Sequence, residues 1–480
     1  MNVGALPVVT DAATKRQATT HTPRVLLLFS ALMVIVSTVG HGNSLASVAA
    51  LIVAAAATGV ALLHPMAVRG RVGQRRAEWV LVVSLVVAGL MLTGGLLAQA
   101  FADLGSPLWL MVTAVYTIVG LAGALLAFRK LPHVRWAFAL FLLAHTAMAV
   151  ALLRSSPAII DTQVYLHDGV AALFQGHNPY AMTVPNLYPP HLANLFYGPG
   201  VVVNGRVNAG FPYLPVPLLA AVPGFVWGDV RYSQLIAMVL TALVLRRLAS
   251  DSIGRAAAVL GVASLTAIPM LKGGWTEPTS VALLACLVLA LQQRRHAFVA
   301  VLLGLLLASK QYFVVVIPII WLIRAWLTQR VILIGLGLAG AIMVPFLLVD
   351  PATFWKAITG SQRGPLRADS ISLLVSSVNT LGWPPPWTYG VLPLLGAGMT
   401  AIALTLRAPH TPPAFVAAVG LTLLVAFLLS RQAFMNYYYL VSGTFLIAAV
   451  AWPTSQAVTA PGHESRHPAS PETTVGRPLR

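Results

Sequence analysis

Charged residues are scarce in this sequence. Only 9% of its 480 residues are Asp, Glu, Lys or Arg, whereas a soluble chain carries about a quarter. Acidic residues are the scarcest, with 12 Asp and Glu against 30 Lys and Arg, and the single cysteine, Cys286, excludes an intramolecular disulfide. Because 58% of the residues are hydrophobic, the composition excludes a soluble globular protein and predicts an all-α polytopic membrane protein.

The surplus of basic residues gives a net charge of +18, a value also typical of nucleic-acid-binding proteins. Here, however, the basic residues lie in short clusters between apolar runs, for example at 69–76. This is the positive-inside pattern, which sets the orientation of a protein in the bilayer. We therefore expect no nucleic-acid partner. The pattern predicts a multi-pass cell-membrane protein whose two termini are cytoplasmic and whose two large segments, 154–230 and 350–386, lie on the outer face.

The apolar runs match the ~20 residues that a helix needs to cross a bilayer. They predict about 14 transmembrane helices, at 24–41, 44–63, 78–101, 108–128, 136–153, 231–248, 255–271, 277–293, 297–309, 313–328, 331–349, 387–406, 412–430 and 435–452. The run at 213–228 is shorter and rich in proline, and a span there would export the basic pair at 246–247. We therefore expect a re-entrant or interfacial helix at 213–228, and short interfacial helices in both outer segments.

The predicted organisation has four parts. Residues 1–23 and the Pro-, Ser-, Thr- and His-rich tail 453–480 are expected to be disordered. Residues 24–135 hold four N-terminal helices, and residues 136–452 form a membrane core that includes both outer segments.

Polar residues concentrate at 159–180, directly after the fifth predicted span. Asp161, Tyr165 and Asp168 are spaced i, i+4, i+7 and would share one face of a helix. A carboxylate at the membrane boundary is partly desolvated, which raises its basicity and suits it to take a proton from a hydroxyl. On the residues alone, solvated loop acids with Tyr165 and Tyr180 as interfacial aromatics are an equally good interpretation.

An ordered set of motifs in the outer segments carries a family resemblance. Asp161 and Tyr165 are followed by the run GHNPY at 176–180 and by motifs at 210–215, 223–224, 229–232, 275–278, 309–312, 362–369 and 431–438. In this order, over about 155–440, the chain resembles the GT-C superfamily of integral membrane glycosyltransferases. The likeness is greatest to the bacterial branch of polyprenyl-phosphate-mannose-dependent α-mannosyltransferases.

That resemblance implies a GT-C-like fold and an enzyme that acts on the outer face. Such enzymes transfer a sugar, here expected to be mannose, from a polyprenyl phosphate to a lipid or cell-envelope glycan hydroxyl, with inversion at the sugar carbon. The residue that matches the family's catalytic base is Asp161. No Asp-x-Asp pair follows, because Thr162 and Gln163 come next, so neither a metal nor another cofactor is expected.

Cations are needed to bind the donor phosphate. Lys310 and Arg431 are the first candidates, although snorkelling to lipid headgroups explains either equally well; Arg363 and Arg367 come next. Candidate groups for the acceptor or the sugar are Tyr165, His167, Asp168, Asn178, Tyr180, Glu277, Gln311, Tyr312, Asn436 and Tyr437.

Several of these residues have simpler interpretations. Glu277 is slightly better explained as an acid at a helix N-terminus than as a partner of Lys272 or of a sugar hydroxyl. Asp229 and Arg231 are expected to form a local ion pair. The spacings between His167, His177 and His191 lack a compact zinc-ligand pattern.

Two other functions remain open. One is transfer of arabinofuranose from a polyprenyl-phospho-arabinose, and the other is a lipid or glycan flippase without transferase activity. A transporter would be expected to carry ionisable groups near the bilayer midplane, whereas the predicted spans here are almost free of charge. The expected partners are membrane lipids, the donor and acceptor lipids, and a protein docked on the four N-terminal helices.

Overall fold

The computed structural model describes residues 22–38, 44–63, 71–103, 118, 134–155 and 160–453. The predicted disordered segments before residue 22 and after residue 453 lie outside this part of the chain. So does the predicted span at 108–128, apart from residue 118.

Helices make up most of the described chain. In the N-terminal part they are α1 (Thr22–Thr38), α2 (Leu45–Leu63), α3 (Arg71–Asp103) and α4 (Val134–Ser155). The first of the two segments that we expect on the outer face, which we call the outer segments, contains α5 (Asp161–Phe174), a 3-10 helix (Pro179–Ala181), β1 (Val184–Pro185), α6 (Pro190–Tyr197), β2 (Val202–Val203), β3 (Arg206–Val207) and α7 (Pro215–Val226). The three short strands form an antiparallel sheet in the order β1-β3-β2, with Val184 and Val202 on either side of Val207.

The rest of the bundle follows. Its elements are α8 (Arg231–Leu248), α9 (Ser252–Ala257), α10 (Leu260–Ala263), α11 (Ala267–Lys272), α12 (Glu277–Gln292), α13 (His296–Leu307), a 3-10 helix (Gln311–Val315), α14 (Val316–Ile319), a 3-10 helix (Ile320–Trp326) and α15 (Gln329–Val349). The second outer segment holds α16 (Pro351–Arg363), α17 (Leu373–Leu381) and a 3-10 helix (Pro386–Thr388); α18 (Val391–Arg407), α19 (Pro412–Leu428) and α20 (Met435–Ala451) complete the chain.

Long apolar helices identify the molecule as an all-α membrane protein. Among the described residues, five helical stretches are long and apolar enough to span a bilayer, and a sixth is reached if one bent pair counts as a span. The five are Leu45–Leu63, Arg76–Leu96, Trp136–Ser155, Ser252–Lys272 and Gln329–Val349. Most of the other predicted spans correspond to apolar helices of 10–17 residues, so the larger number of spans remains a prediction.

Two predicted spans are irregular. The run at 255–271 is divided into α9, α10 and α11, and the run at 313–328 alternates between 3-10 and α-helical turns. Pro318 lies within the second run, and a proline removes the backbone donor that a regular α-helix requires. Neither run is the straight helix that hydropathy alone predicts.

The segment at 213–228 turns back on itself. Its helix, α7, is bent by 106° from α8, and Gly228, with a φ of 97°, lies in the turn between them. Arg231 and Asp229 form the predicted ion pair, with 2.6 Å between Nη2 and the carboxylate. The Arg231 guanidinium also donates to the Leu153 carbonyl at 2.7 Å, which ties the end of α4 to the start of α8.

The N-terminal helices belong to the same core as the rest of the bundle. α1 packs on α20, and α2 packs on α19. A Cβ on Gly89 would lie 2.0 Å from the Ala263 carbonyl oxygen, so α3 approaches α10 more closely than a larger residue allows. Buried Arg24 of α1 pairs with Asp251 at 2.6 Å, which fastens α1 to the start of α9.

A second, smaller core lies in the outer segments. Tyr165 and Leu166 of α5 and Phe211 pack there against Phe354 and Ile358 of α16. The two outer segments, separated by more than a hundred residues in the sequence, therefore form one packed unit around the start of α5.

Candidate functional site

Asp161 is the first residue of α5, in the turn that enters the outer core. An acid at this position interacts favourably with the unpaired N–H groups of the helix end. Its backbone N–H donates to the Tyr188 hydroxyl at 3.4 Å. Within the described residues, no Lys, Arg or His nitrogen lies within 4.0 Å of the Asp161 carboxylate, which keeps partial solvent access.

The environment of Asp161 makes its carboxylate more basic. Burial raises the pKa of Asp161 above the usual aspartate range. The Tyr197 side chain, the backbone of Thr162 and the positive charge of Arg367 each lower the pKa, but they do not cancel the effect of burial. A carboxylate of raised pKa without a cation in contact is a suitable general base.

Three tyrosines surround Asp161. Burial first, and then the negative charge of Asp161, raise the pKa of Tyr165 and Tyr197 well above the usual tyrosine value and that of Tyr188 to about 12. The Tyr188 ring packs 4.7 Å from Phe196 and 5.9 Å from Tyr197, between ring centroids. The three phenols are therefore neutral hydroxyl groups near pH 7 and line the space beside the carboxylate.

Arg367 brings positive charge towards this space. Its guanidinium pairs with Asp369 at 2.7 Å and lies 3.9 Å and 4.7 Å from the ring centroids of Phe196 and Phe434. Two aromatic faces and an ion pair thus fix a cation whose charge acts on Asp161.

Arg431 and Arg367 are far apart in the sequence but adjacent in the fold. The Arg431 carbonyl accepts a hydrogen bond from the Arg367 N–H at 3.5 Å. The Arg431 guanidinium lies 6.0 Å from the ring centroid of Tyr389. The side chain of Arg363, the remaining arginine predicted to bind phosphate, lies outside the described part of the structure.

Lys310 lies in a second, buried polar cluster. Its Nζ is 3.1 Å from Oε1 of Glu277, and Nδ2 of Asn436 donates to the same oxygen at 3.0 Å. Glu277 has no exposed surface, and Lys310 and Asn436 each keep only 3%. The partner of Glu277 is thus Lys310 and not Lys272, and the predicted phosphate ligand Lys310 is occupied by an internal ion pair.

Tyr213 connects the two polar regions. The Lys310 ammonium lies 3.6 Å from the centroid of the Tyr213 ring. The Tyr213 side chain also lies beside Thr162, the residue after Asp161. Its carbonyl accepts from the Tyr180 hydroxyl at 3.0 Å. The loop before α7 is therefore fixed between the buried ion pair and the start of α5.

The remaining predicted site residues have other roles in this structure. Asp168 is two helical turns beyond Asp161 and pairs with the exposed His167 at 3.0 Å. Asn178 caps a 3-10 helix by accepting from the Tyr180 N–H, and Tyr180 itself is buried in the outer core. In this structure both residues support the turn that follows α5, and their predicted contact with a sugar stays a prediction.

Three further predicted sugar-binding groups, Gln311, Tyr312 and Tyr437, are half-buried. Gln311 donates from its amide to the carbonyls of Pro212 and Ile358, at 3.0 Å and 2.8 Å, and so joins the outer segments to the bundle. Tyr312 and Tyr437 are near Glu277, with 6.1 Å between their ring centroids. His177 and His191 are exposed, and the described residues contain no group of three potential metal ligands.

Sequence reasoning did not select Tyr188, Phe196, Tyr197 or Thr162 as site residues. Phe196 and Tyr197 are the last two residues of the short helix α6, in which Pro190 starts the run PHLANLFY. The aromatic end of that run was the only available signal, since its packing against Asp161 depends on the tertiary fold.

Comparison with known proteins leaves the family open. No family model matches the chain, no curated protein matches it, and no solved structure matches it.

Proposed function

We propose that the protein is an inverting membrane glycosyltransferase that uses a polyprenyl-phospho-sugar, mannose being the first candidate, and a hydroxyl of a lipid or envelope glycan. The observation that carries the proposal is the environment of the Asp161 carboxylate. Its pKa is raised, it has no ion-pair partner among the described residues, and the neutral side chains of Tyr165, Tyr188 and Tyr197 lie beside it. The motif resemblance supports it, since it places the base of such enzymes at this residue.

In the proposed reaction, Asp161 accepts the proton of the acceptor hydroxyl. The acceptor oxygen then forms a bond to the sugar anomeric carbon from the face opposite the phosphate. The bond from that carbon to the phosphate oxygen breaks, and the polyprenyl phosphate leaves with the electron pair. A positioned general base contributes typically 10²–10⁴-fold to such a step.

The charge that develops on the leaving phosphate needs a fixed cation. Arg367 is the best-placed candidate, because its charge already acts on Asp161 and aromatic faces hold its guanidinium. A planar guanidinium can bind two phosphate oxygens at once. Arg431, adjacent to it, is the second candidate for the same phosphate.

Lys310 has a different part in this proposal. With Glu277 as its ion-pair partner and the Tyr213 ring over its ammonium, it positions the loop beside Thr162 and Asp161. Its removal should therefore lower the turnover rate without weakening donor binding, which is the opposite of what a phosphate ligand would show.

The test is a transfer assay with defined donors. Membranes from cells with and without the protein are incubated with radiolabelled polyprenyl-phospho-mannose and, separately, polyprenyl-phospho-arabinose, and the labelled products are compared. We expect one labelled product that depends on the protein; dependence on the arabinose donor would change the sugar but keep the mechanism. If the protein translocates lipid in proteoliposomes and transfers no sugar, the proposed transferase function is wrong and a flippase function takes its place.

A further inference from the structure

Five exposed arginines gather at the end of the bundle away from the Asp161 site. They lie in or beside three turns: between α12 and α13, between the 3-10 helix Ile320–Trp326 and α15, and between α18 and α19. They are Arg294, Arg295, Arg324, Arg330 and Arg407.

Hydrogen bonds join the three turns into one surface. Arg294 donates from Nη1 to the Ala325 carbonyl at 3.3 Å, and Trp326 donates from its indole to the His410 carbonyl at 3.3 Å. Arginines that are far apart in the sequence are thus fixed on neighbouring turns.

Aromatic rings flank three of these arginines. Arg294 lies 4.0 Å from the Trp326 ring centroid, and Arg324 lies 3.8 Å from that of Trp321. Arg295 lies 5.9 Å from the Phe298 centroid. Tryptophan concentrates at membrane–water interfaces, and a guanidinium stacked on a ring keeps its N–H groups free at the edge to bind an anion.

The stretches of sequence that carry these arginines contain no acidic residue. The sequence contains no Asp or Glu between Glu277 and Asp350, or between Asp369 and Glu464. In the described part of the chain, the five arginines form no salt bridge. Five exposed guanidinium groups without a salt bridge among the described residues, three of them held against aromatic rings, fit an external anion at a membrane boundary.

We propose that this surface is a binding site for the phosphate headgroup of an anionic phospholipid. The phosphate would lie between the stacked Arg294 and Arg324, and the acyl chains would follow the exposed apolar side chains of Trp321 and Phe298 into the bilayer. By the positive-inside rule the site faces the cytoplasmic leaflet, opposite the proposed transferase site and independent of it.

The test measures lipid retention by the full-length protein. Purified protein is exchanged into vesicles of phosphatidylcholine that contain either phosphatidylglycerol or additional phosphatidylcholine, extracted in mild detergent, and examined by native mass spectrometry. We expect bound phosphatidylglycerol. The R294Q/R324Q variant should bind it about 30-fold more weakly, from about 1 kcal/mol per arginine near the surface.

Two further variants make the outcome decisive. R330Q/R407Q removes the same charge from residues without aromatic stacking, and should weaken retention even if R294Q/R324Q fails to fold. R206Q/K356Q removes the same charge from the outer segments and should retain the lipid fully. Equal retention of both lipids by the unmodified protein, or equal loss in R206Q/K356Q, would overturn the proposal.

Discussion

Asp161 and Glu277 are both first residues of helices near the same loop, yet their surroundings are opposite. Asp161 keeps partial solvent access and has no cation within 4.0 Å among the described residues. Glu277 is completely buried, with Lys310 at 3.1 Å and Asn436 at 3.0 Å. A buried carboxylate in an ion pair contributes to the structure, whereas one without a cation in contact can accept a proton. The comparison supports the proposal that α5 carries the proton acceptor and that Glu277 of α12 has a structural role.

The largest expected effect is on activity, through Asp161. Asp161→Asn removes the proton acceptor with almost no change in volume, and transfer should fall about 10²–10⁴-fold. Asp168→Asn, on the same helix and paired with His167, is the matched control and should keep nearly full activity. An equal loss in both variants would remove the distinction between the two acids.

The next largest effect is on stability, through the buried ion pair. Lys310→Met leaves Glu277 buried without a cation, which costs about 3–5 kcal/mol, and the melting temperature in detergent should fall accordingly. The double variant E277Q/K310M should recover part of the loss, because no uncompensated charge remains. Lys272→Met, at the residue that local spacing suggests as a partner, should change stability by less than about 0.5 kcal/mol.

A smaller effect is expected at Arg367. Arg367→Gln removes the fixed cation beside Asp161, and kcat/KM should fall about 10- to 100-fold, as for a lost charged hydrogen bond. Arg206→Gln, in the exposed β3 strand of the first outer segment, removes the same charge without an effect on transfer. A full effect at Arg206 would mean that net charge, and not the position of Arg367, matters.

The smallest effect is a shift of the pH profile. Tyr197 lowers the pKa of Asp161, so Tyr197→Phe should raise that pKa further. In the proposed mechanism transfer requires ionised Asp161, and the fall in kcat/KM on acidification should therefore begin at a higher pH in the variant. The control Tyr439→Phe removes a hydroxyl within α20 and should leave the pH profile unchanged. A shift of the profile to lower pH in Tyr197→Phe would contradict the interaction assigned between Tyr197 and Asp161.

Features set by neighbouring residues were predictable from the sequence. Apolar runs gave most helix positions to within a few residues, and the Asp229–Arg231 pair follows from a spacing of two residues. Proline and the charge pattern anticipated that 213–228 would not continue as a simple span, in agreement with the 106° bend.

Features set by tertiary contacts were not predictable. Lys310 between two apolar runs is compatible with a free phosphate ligand until Glu277, 33 residues earlier, is seen at 3.1 Å. Tyr197 meets Asp161 only because α6 folds back over the start of α5. Spacing also predicted that Asp161 and Asp168 share a face two turns apart, but it could not show that Asp168 would pair with His167 while Asp161 packs among tyrosines.

The most direct test of the central claim compares the pH dependence of transfer with the protonation of Asp161 itself. Protonation is followed by the pH dependence of carbodiimide labelling at Asp161, read by peptide mass spectrometry, and kcat/KM is measured on the same preparation. The two curves should share one midpoint above the usual aspartate range, as the burial-raised pKa requires. Loss of activity at a pH where Asp161 is still fully ionised would show that Asp161 is not the base.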